Sequence, residues 1–364
     1  MDTERDGREK ADIERDAAGS FGERLLSWYE VNRRHLPWRE DTVPYHVWLS
    51  EIMLQQTRVE AVRGYYDRFL RELPDIKALA DAPEEVYMKL WEGLGYYSRV
   101  RNLHRAAQVV MADYGGELPR TAAELKKLPG IGSYTAAAIA SIAFGEPVPA
   151  VDGNLLRVFA RLSAYEENIR LPAAAKAAGV FYRERMPAAK GGEFNQALMD
   201  LGACVCLPAS QPLCGNCPLR EDCRVHKLRP GEELSLPVMP AKKERAIDRM
   251  TVFVIHSGDR TAVRKRPARG LLAGMYEFPW AQDWLSPKEA DRWLRGQGTE
   301  ALRIVPLEDA RHIFTHREWH MRGYEVWIDS LQEERIPFLL VTAEEIRGRY
   351  AVPSAFSSFL ARIG

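Results

Sequence analysis

Two incompatible hydrophobic periods divide this chain, and the division limits the folds open to it. From residue 21 to 225 apolar residues recur at helical spacing. In "FGERLLSWYEVNRRHL" Phe21, Leu25, Trp28 and Tyr29 fall on one stripe, and "PYHVWLSEIMLQQTRVEAVRGYYDRFL" (44–70) is a longer helical region. "APEEVYMKLWEGL" and "RVRNLHRAAQVVMADYG" follow, each closed by glycine. Past residue 248 the period shortens to two. "MTVFVIHSGDRTAVRKR" reads as a hairpin turning near Gly258 and Asp259, and "YEVWI" (324–328) alternates. "TAEEIRGRY" and "PSAFSSFLARI" read as helices. Neither period serves the other element, because side chains repeat every 3.6 residues on a helix and every second residue on a strand. The expectation is an all-α domain over 21–225 and a smaller α/β domain over 248–364. Residues 226–247, rich in proline and charge and without a period, read as the linker.

At 364 residues the chain is long for one domain, and 46% apolar content supplies two cores. No stretch approaches the roughly 20 apolar residues that span a bilayer, so no membrane partner is expected. The first 20 residues read as a solvated, charged leader without the apolar segment of a signal peptide, which points to the cytoplasm. Net charge is formally zero, but seven acids and four bases in residues 1–16 leave 44 acids and 47 bases elsewhere. A near-neutral chain still binds an anionic polymer through a local face and backbone amides. Basic stretches lie at 98–105, 241–245 and 264–269.

"LPGIGSYTAAAIA" (128–140) sets Gly130 and Gly132 against the start of an alanine-rich helix. Such a start offers unpaired N–H groups and the positive end of the helix dipole, a cradle for phosphate to which Ser133 or Thr135 adds a hydroxyl. The same pattern also suits a plain tight turn between helices. "VDGN" (151–154) places Asp152 twenty residues past Gly132, where it can cap the helix that follows.

All five cysteines lie between Cys204 and Cys223, a single cluster that suggests a metal centre rather than scattered disulfides. Cys206, Cys214, Cys217 and Cys223 supply four thiolates, enough for a [4Fe–4S] cube or one tetrahedral zinc; Cys204 is a rival first ligand.

The glycine hairpin followed by "VPAVDGN" resembles the helix-hairpin-helix DNA glycosylase superfamily. "LPWRE" (36–40), "SEIMLQQTRVEAV" (50–62) and "WEGLGYYSRVRNLHRAA" (91–107) narrow the resemblance to adenine DNA glycosylases of the MutY type, from residue 21 to the C-terminus. The resemblance implies a multidomain α plus α/β fold: a helix-hairpin-helix glycosylase domain with an iron–sulfur loop (204–223), and a Nudix-like C-terminal domain that recognises 8-oxoguanine. It implies a [4Fe–4S] cofactor on Cys206, Cys214, Cys217 and Cys223. The spacing departs from the family by one extra residue between the first two ligands. The partner implied is double-stranded DNA carrying A:8-oxoguanine or A:G mispairs, bound by a monomer near a bacterial nucleoid.

The resemblance also assigns roles. Glu51, flanked by apolar residues, is the expected proton donor to the adenine, since burial raises a carboxyl's pKa. Asp152 faces the sugar cation, and Asn154 holds Asp152 or the sugar. Two carboxylates in different environments suit the rupture of a glycosidic bond. Tyr134 stands where related lyases place the lysine that forms a Schiff base, so hydrolysis without strand cleavage is expected. Gln56, Thr57, Leu94 and Tyr96 match positions that wedge into the duplex; Arg34, Leu36, Trp38 and Arg39 match the adenine-pocket region. Gln196 falls near the flipped base. Phe314, Thr315 and His316 match a loop that reads 8-oxoguanine, with threonine in place of serine. The segment "WAQDWLSPKEADRWLRGQG" lacks the acidic set that Nudix hydrolysis needs, so Glu277 alone makes no diphosphatase site. The competing readings are an oxidised-pyrimidine glycosylase/lyase of the endonuclease III type and a non-enzymatic DNA-binding iron–sulfur module.

Overall fold

The structure is a computed structural model that describes residues 19–240, 244–329 and 336–363. Most of the expected leader and residues 241–243 of the second basic stretch lie outside the described residues. The chain divides into two compact units, one from Met1–Ala80 with Asn102–Ala241, the other from Asp81–Arg101 with Lys242–Gly364.

The first unit is helical. Its principal helices are Phe21–Asn32, Pro44–Leu54, Val59–Glu72, Ser133–Phe144, Gly153–Ser163, Pro172–Arg183 and Gly191–Cys204. Ser20 and Glu23 form a reciprocal capping box that starts the first helix. The helical region at 44–70 is not continuous: Gln56 takes a left-handed φ of 56°, and the chain restarts as a helix at Val59. The bend leaves Glu51 near the C-terminal end of Pro44–Leu54.

Gly191–Cys204 is the central helix, packed against Phe21–Asn32, Ser133–Phe144 and Gly153–Ser163. Its Phe194, Ala197, Leu198 and Leu201 are buried with Leu25, Leu155, Val158 and Tyr182 in one cluster. Truncating a buried leucine of this kind costs about 2–5 kcal/mol. Glycine makes the close approach possible. A Cβ on Gly192 would stand 2.8 Å from the Ser141 carbonyl oxygen. Beside it, fully buried Asn195 accepts from the Ala150 N–H at 3.0 Å and donates to Ser141 Oγ at 2.8 Å and to the Val148 carbonyl at 2.9 Å. One side chain thus pins the loop that leads into Asp152.

The proline-rich stretch after residue 226 is tied to this unit rather than running free. Arg161 Nε donates to the Leu236 carbonyl at 3.0 Å, and the Ile169 N–H to the Val238 carbonyl at 3.2 Å. Composition alone cannot reveal such backbone pairing.

The second unit is a mixed seven-stranded sheet with short helices. Strands β1 (Ala246–Ser257) and β2 (Arg260–Lys265) form the expected hairpin, pairing His256 with Thr261. β1 also runs parallel to β6 (Arg317–Ile328), which pairs antiparallel with β5 (Ala301–Ile313). Val252, Val254, Phe278, Trp319 and Phe356 fill one face. Residues 81–101 are helical in pattern yet pack with this sheet. Lys89 Nζ donates to the Ile346 carbonyl at 2.9 Å, the Val352 N–H to Glu92 Oε1 at 2.6 Å, and Lys265 Nζ to Glu84 Oε2 at 3.0 Å. Among the described residues no helix is long and apolar enough to cross a membrane.

Candidate active site

The hairpin of the first unit is built as its glycines require. Gly130 adopts φ of 75°, and a Cβ there would stand 2.5 Å from Asn102 Cβ. Gly132 is the N-cap of Ser133–Phe144, and no side chain caps that start. Gly132 and Ser133 are both exposed, so the start of the helix, the positive end of its dipole, lies at the surface.

The other end of this helix's first turn faces inward. Tyr134 Oη donates to Glu51 Oε2 at 2.6 Å. Both side chains line a pocket of about 190 Å³ together with Asp152 and Asn154. The volume is below the roughly 300–1,000 Å³ of drug-sized sites. Glu51 is 6% exposed. Burial lifts its carboxyl to about 7, with Asp152 adding to the rise and the Tyr134 hydroxyl and Arg39 opposing it. Burial and the nearby carboxylates likewise hold the Tyr134 phenol well above its ordinary range.

Asp152 is the N-cap of Gly153–Ser163. Its Oδ1 accepts from the Leu155 N–H at 2.8 Å and its Oδ2 from Asn154 Nδ2 at 3.0 Å. Burial pushes its pKa upward, while these donors and the Arg157 charge pull against that rise. Asn154 is itself held, its Oδ1 accepting from Arg157 Nη2 at 3.0 Å.

The same pocket gathers Arg34, Leu36, Trp38, Arg39, Thr57 and Gln196. Gln196 Oε1 accepts from Tyr29 Oη at 2.6 Å. Gln56 is exposed and does not line the pocket. Sequence reading had no signal for Met199 and Ile142, which complete the apolar wall, nor for Asp200, which binds Arg34 and Arg39 from within the core.

In the second unit, Tyr96, Phe314, Thr315 and His316 line one cleft. Tyr96 Oη and Thr315 Oγ1 are hydrogen-bonded at 2.6 Å. Tyr96 is in the left-handed region, with φ of 49°, an uncommon conformation for a bulky residue and one that recurs at functional positions. Leu94 is buried. The carboxylate of Glu277 is also buried and fully engaged, accepting from Arg264 Nε at 2.9 Å, from Trp280 Nε1 at 2.9 Å and from Arg266.

Four of the five cysteines converge. Cys206, Cys214, Cys217 and Cys223 line one cavity beneath Gly153–Ser163, whereas Cys204 is exposed and stands outside it. The donor set fits a multi-thiolate metal centre. Arg161, 2% exposed, directs Nη1 to Cys206 Sγ at 3.2 Å, and its buried Nη2 finds no acceptor among the described residues. Arg161 and Arg220 face the cavity against one carboxylate, Glu233, a balance suited to an anionic cluster.

A helical unit with this hairpin, capping aspartate and carboxylate-lined pocket defines a class, the HhH-GPD superfamily. The family model described as "HhH-GPD superfamily base excision DNA repair protein" matches residues 49–179, and one described as "NUDIX domain" matches 251–362. The mouse adenine DNA glycosylase is 35% identical over 87% of this chain and 72% of that protein. The Arabidopsis thaliana adenine DNA glycosylase is 38% identical over 80% of this chain and 54% of its own length. Among solved structures, a thermostable thymine-DNA glycosylase aligns at a TM-score of 0.52 and 31% identity, covering 57% of this chain and 95% of that one. The chain belongs to the adenine DNA glycosylases. It is an adenine-specific base excision repair enzyme acting on DNA.

Proposed function

We propose that this enzyme removes adenine mispaired with 8-oxoguanine or guanine from duplex DNA, by hydrolysis and without strand cleavage. The observation that carries the reading is the Tyr134–Glu51 hydrogen bond at 2.6 Å in a pocket shared with Asp152. Adenine leaves poorly as an anion. Glu51, held near neutrality by burial, delivers a proton to adenine N7 as the C1′–N9 electron pair passes to the purine. Asp152 faces the resulting sugar cation, either as a stabilising anion or by forming and then releasing a bond to C1′. Water supplies the new C1′ oxygen and gives its proton to the Glu51 carboxylate, which restores the acid. Tyr134 has no amine with which to form a Schiff base, so the reaction stops at the abasic site.

The hairpin at Gly130, Gly132 and Ser133 holds a DNA phosphate, while Gln56, Thr57, Leu94 and Tyr96 engage the opened duplex. Arg34, Leu36, Trp38, Arg39 and Gln196 surround the extruded base. Phe314, Thr315 and His316 read the opposite 8-oxoguanine in a Nudix-like domain without hydrolase chemistry. Cys206, Cys214, Cys217 and Cys223 hold a [4Fe–4S] cluster that ties the loop after Gly191–Cys204 to the helix bearing Asp152. The enzyme acts as a monomer, in a bacterial cytoplasm at the nucleoid.

Single-turnover assays on A:8-oxoguanine duplexes with the wild type, Glu51→Gln and Asp152→Asn test the reading. Free adenine from the wild type and a loss of at least ~100-fold in either variant are expected. Undiminished release from Glu51→Gln would remove the proposed acid. No adenine from the wild type would indicate a binding module, and an intact A:8-oxoguanine pair beside an excised oxidised pyrimidine would indicate an endonuclease III-like activity.

A further inference from the structure

One fully buried charge beside the pocket has no part in the chemistry described so far. Asp200 is 0% exposed and projects from Gly191–Cys204. Its carboxylate accepts four hydrogen bonds. Oδ1 takes Arg34 Nε at 2.6 Å and Arg39 Nη2 at 3.1 Å. Oδ2 takes the Arg34 backbone N–H at 3.1 Å and Arg39 Nη1 at 2.7 Å. One anion therefore holds two guanidiniums, and both terminal nitrogens of Arg39 are committed to it.

Such a triad is a poor stability device, since apolar residues of similar volume usually serve as well. Its location offers another reason for it. Arg34 and Arg39 both line the pocket that contains Glu51. A guanidinium does not lose its proton, so its charge is controlled only by pairing. The charged and titratable groups that share the pocket with Glu51 are Tyr134 from Ser133–Phe144, Asp152 from the start of Gly153–Ser163, Arg39 from the turn Pro37–Arg39, and Arg34 just before that turn. The central helix adds the neutral Gln196, Met199 and Ala203 to the wall, with the anion Asp200 binding both arginines. Of the two cations, Arg39 is the one that opposes the rise at Glu51.

We propose that Asp200 is a positioning residue: by binding Arg34 and Arg39 together it anchors the cations of the pocket wall and offsets part of their charge, so that Glu51 keeps the proton adenine requires. This rests on the reading of Glu51 as the proton donor. Without the Asp200 charge, Arg39 loses its carboxylate partner, and its charge, which also acts on Glu51, favours the ionised, inactive form of Glu51.

The test is the pH dependence of single-turnover adenine excision from an A:8-oxoguanine duplex. Wild type, Asp200→Asn, Asp200→Glu and Glu51→Gln are compared in the full-length enzyme. In Asp200→Asn the alkaline limb moves to lower pH by about one unit, the size of shift a nearby opposite charge produces. Its rate then falls about tenfold at pH 8 and stays within a few-fold of wild type at pH 5.5. Asp200→Glu, which keeps the charge, follows the wild-type profile. A limb in Asp200→Asn that coincides with wild type overturns the proposal. Undiminished excision by Glu51→Gln overturns instead the reading of Glu51 on which it rests. Where Asp200→Asn does not fold, as judged by circular dichroism, the double variant of Asp200→Asn with Arg39→Gln decides: with the coupled cation gone its limb stays at or above the wild-type pH, and a limb moved to lower pH, which Arg39 could not then cause, overturns the proposal.

Discussion

Tyr134 donates its hydroxyl proton to Glu51 at 2.6 Å, and through this bond the helix that starts at the glycine hairpin reaches the buried acid. The first residue of that helix, Ser133, is exposed, and the second lines the pocket. The exposed start of the helix and the residue that meets the buried acid are therefore neighbours in a single helical turn.

The buried acid carries a stability cost with a definite sign. Glu51 rises to about 7 in the folded chain, against about 4.3 when unfolded. Between those values the folded state holds a proton that the unfolded state has released, so stability is greatest at low pH and declines as pH rises through the folded pKa. Glu51→Gln removes the penalty. At pH 8 the variant should be more stable by about 3 kcal/mol, a Tm increase of roughly 5–10 °C. Near pH 4, below the unfolded value, the two proteins should melt together. Scanning calorimetry at both pH values checks this.

Tyr134→Lys introduces an amine beside the sugar site. A pocket that enforces hydrolysis through Tyr134 should then yield a covalent adduct on borohydride treatment and cut abasic DNA, while the wild type does neither. The readout is the trapped protein–DNA band on a denaturing gel.

Thr315→Ala deletes the hydroxyl that meets Tyr96 Oη at 2.6 Å. Excision of adenine opposite 8-oxoguanine should fall several-fold toward the rate opposite guanine, in keeping with about 1 kcal/mol for one hydrogen bond. An unchanged ratio of the two rates takes Thr315 out of the recognition loop.

Iron and acid-labile sulfide analysis separates the five cysteines. Cys217→Ser, which alters a thiol lining the shared cavity, should lose iron, whereas Cys204→Ser should keep the wild-type content, because Cys204 lies outside the cavity. Zinc in place of iron in the purified enzyme would contradict the cluster assignment.

Some of this arrangement was legible in the sequence because the chemistry sits in short, local patterns. Asp152 and Asn154 belong to one four-residue string, and Gly130, Gly132 and Tyr134 to one turn, so their local roles follow from backbone rules. The switch from a period of 3.6 to a period of two marks the two folds. Other features arise from contacts that spacing does not encode. Asp200 meets Arg34 and Arg39 across more than 160 residues, and a lone aspartate in "FNQALMDLG" looks like any other helix acid. The break at Gln56 occurs at a good helix former. Residues 81–101 carry a helical pattern, but a pattern names the buried face and not the sheet it packs against.

The central claim is that Glu51 drives base loss by protonating adenine at N7. Single-turnover excision of 7-deazaadenine, which has carbon in place of that nitrogen, tests it most directly. The account predicts that a duplex with 7-deazaadenine opposite 8-oxoguanine binds as tightly as the adenine duplex and is excised at least ~100-fold more slowly. Excision of 7-deazaadenine at the rate of adenine, by an enzyme that still requires Glu51, would contradict it.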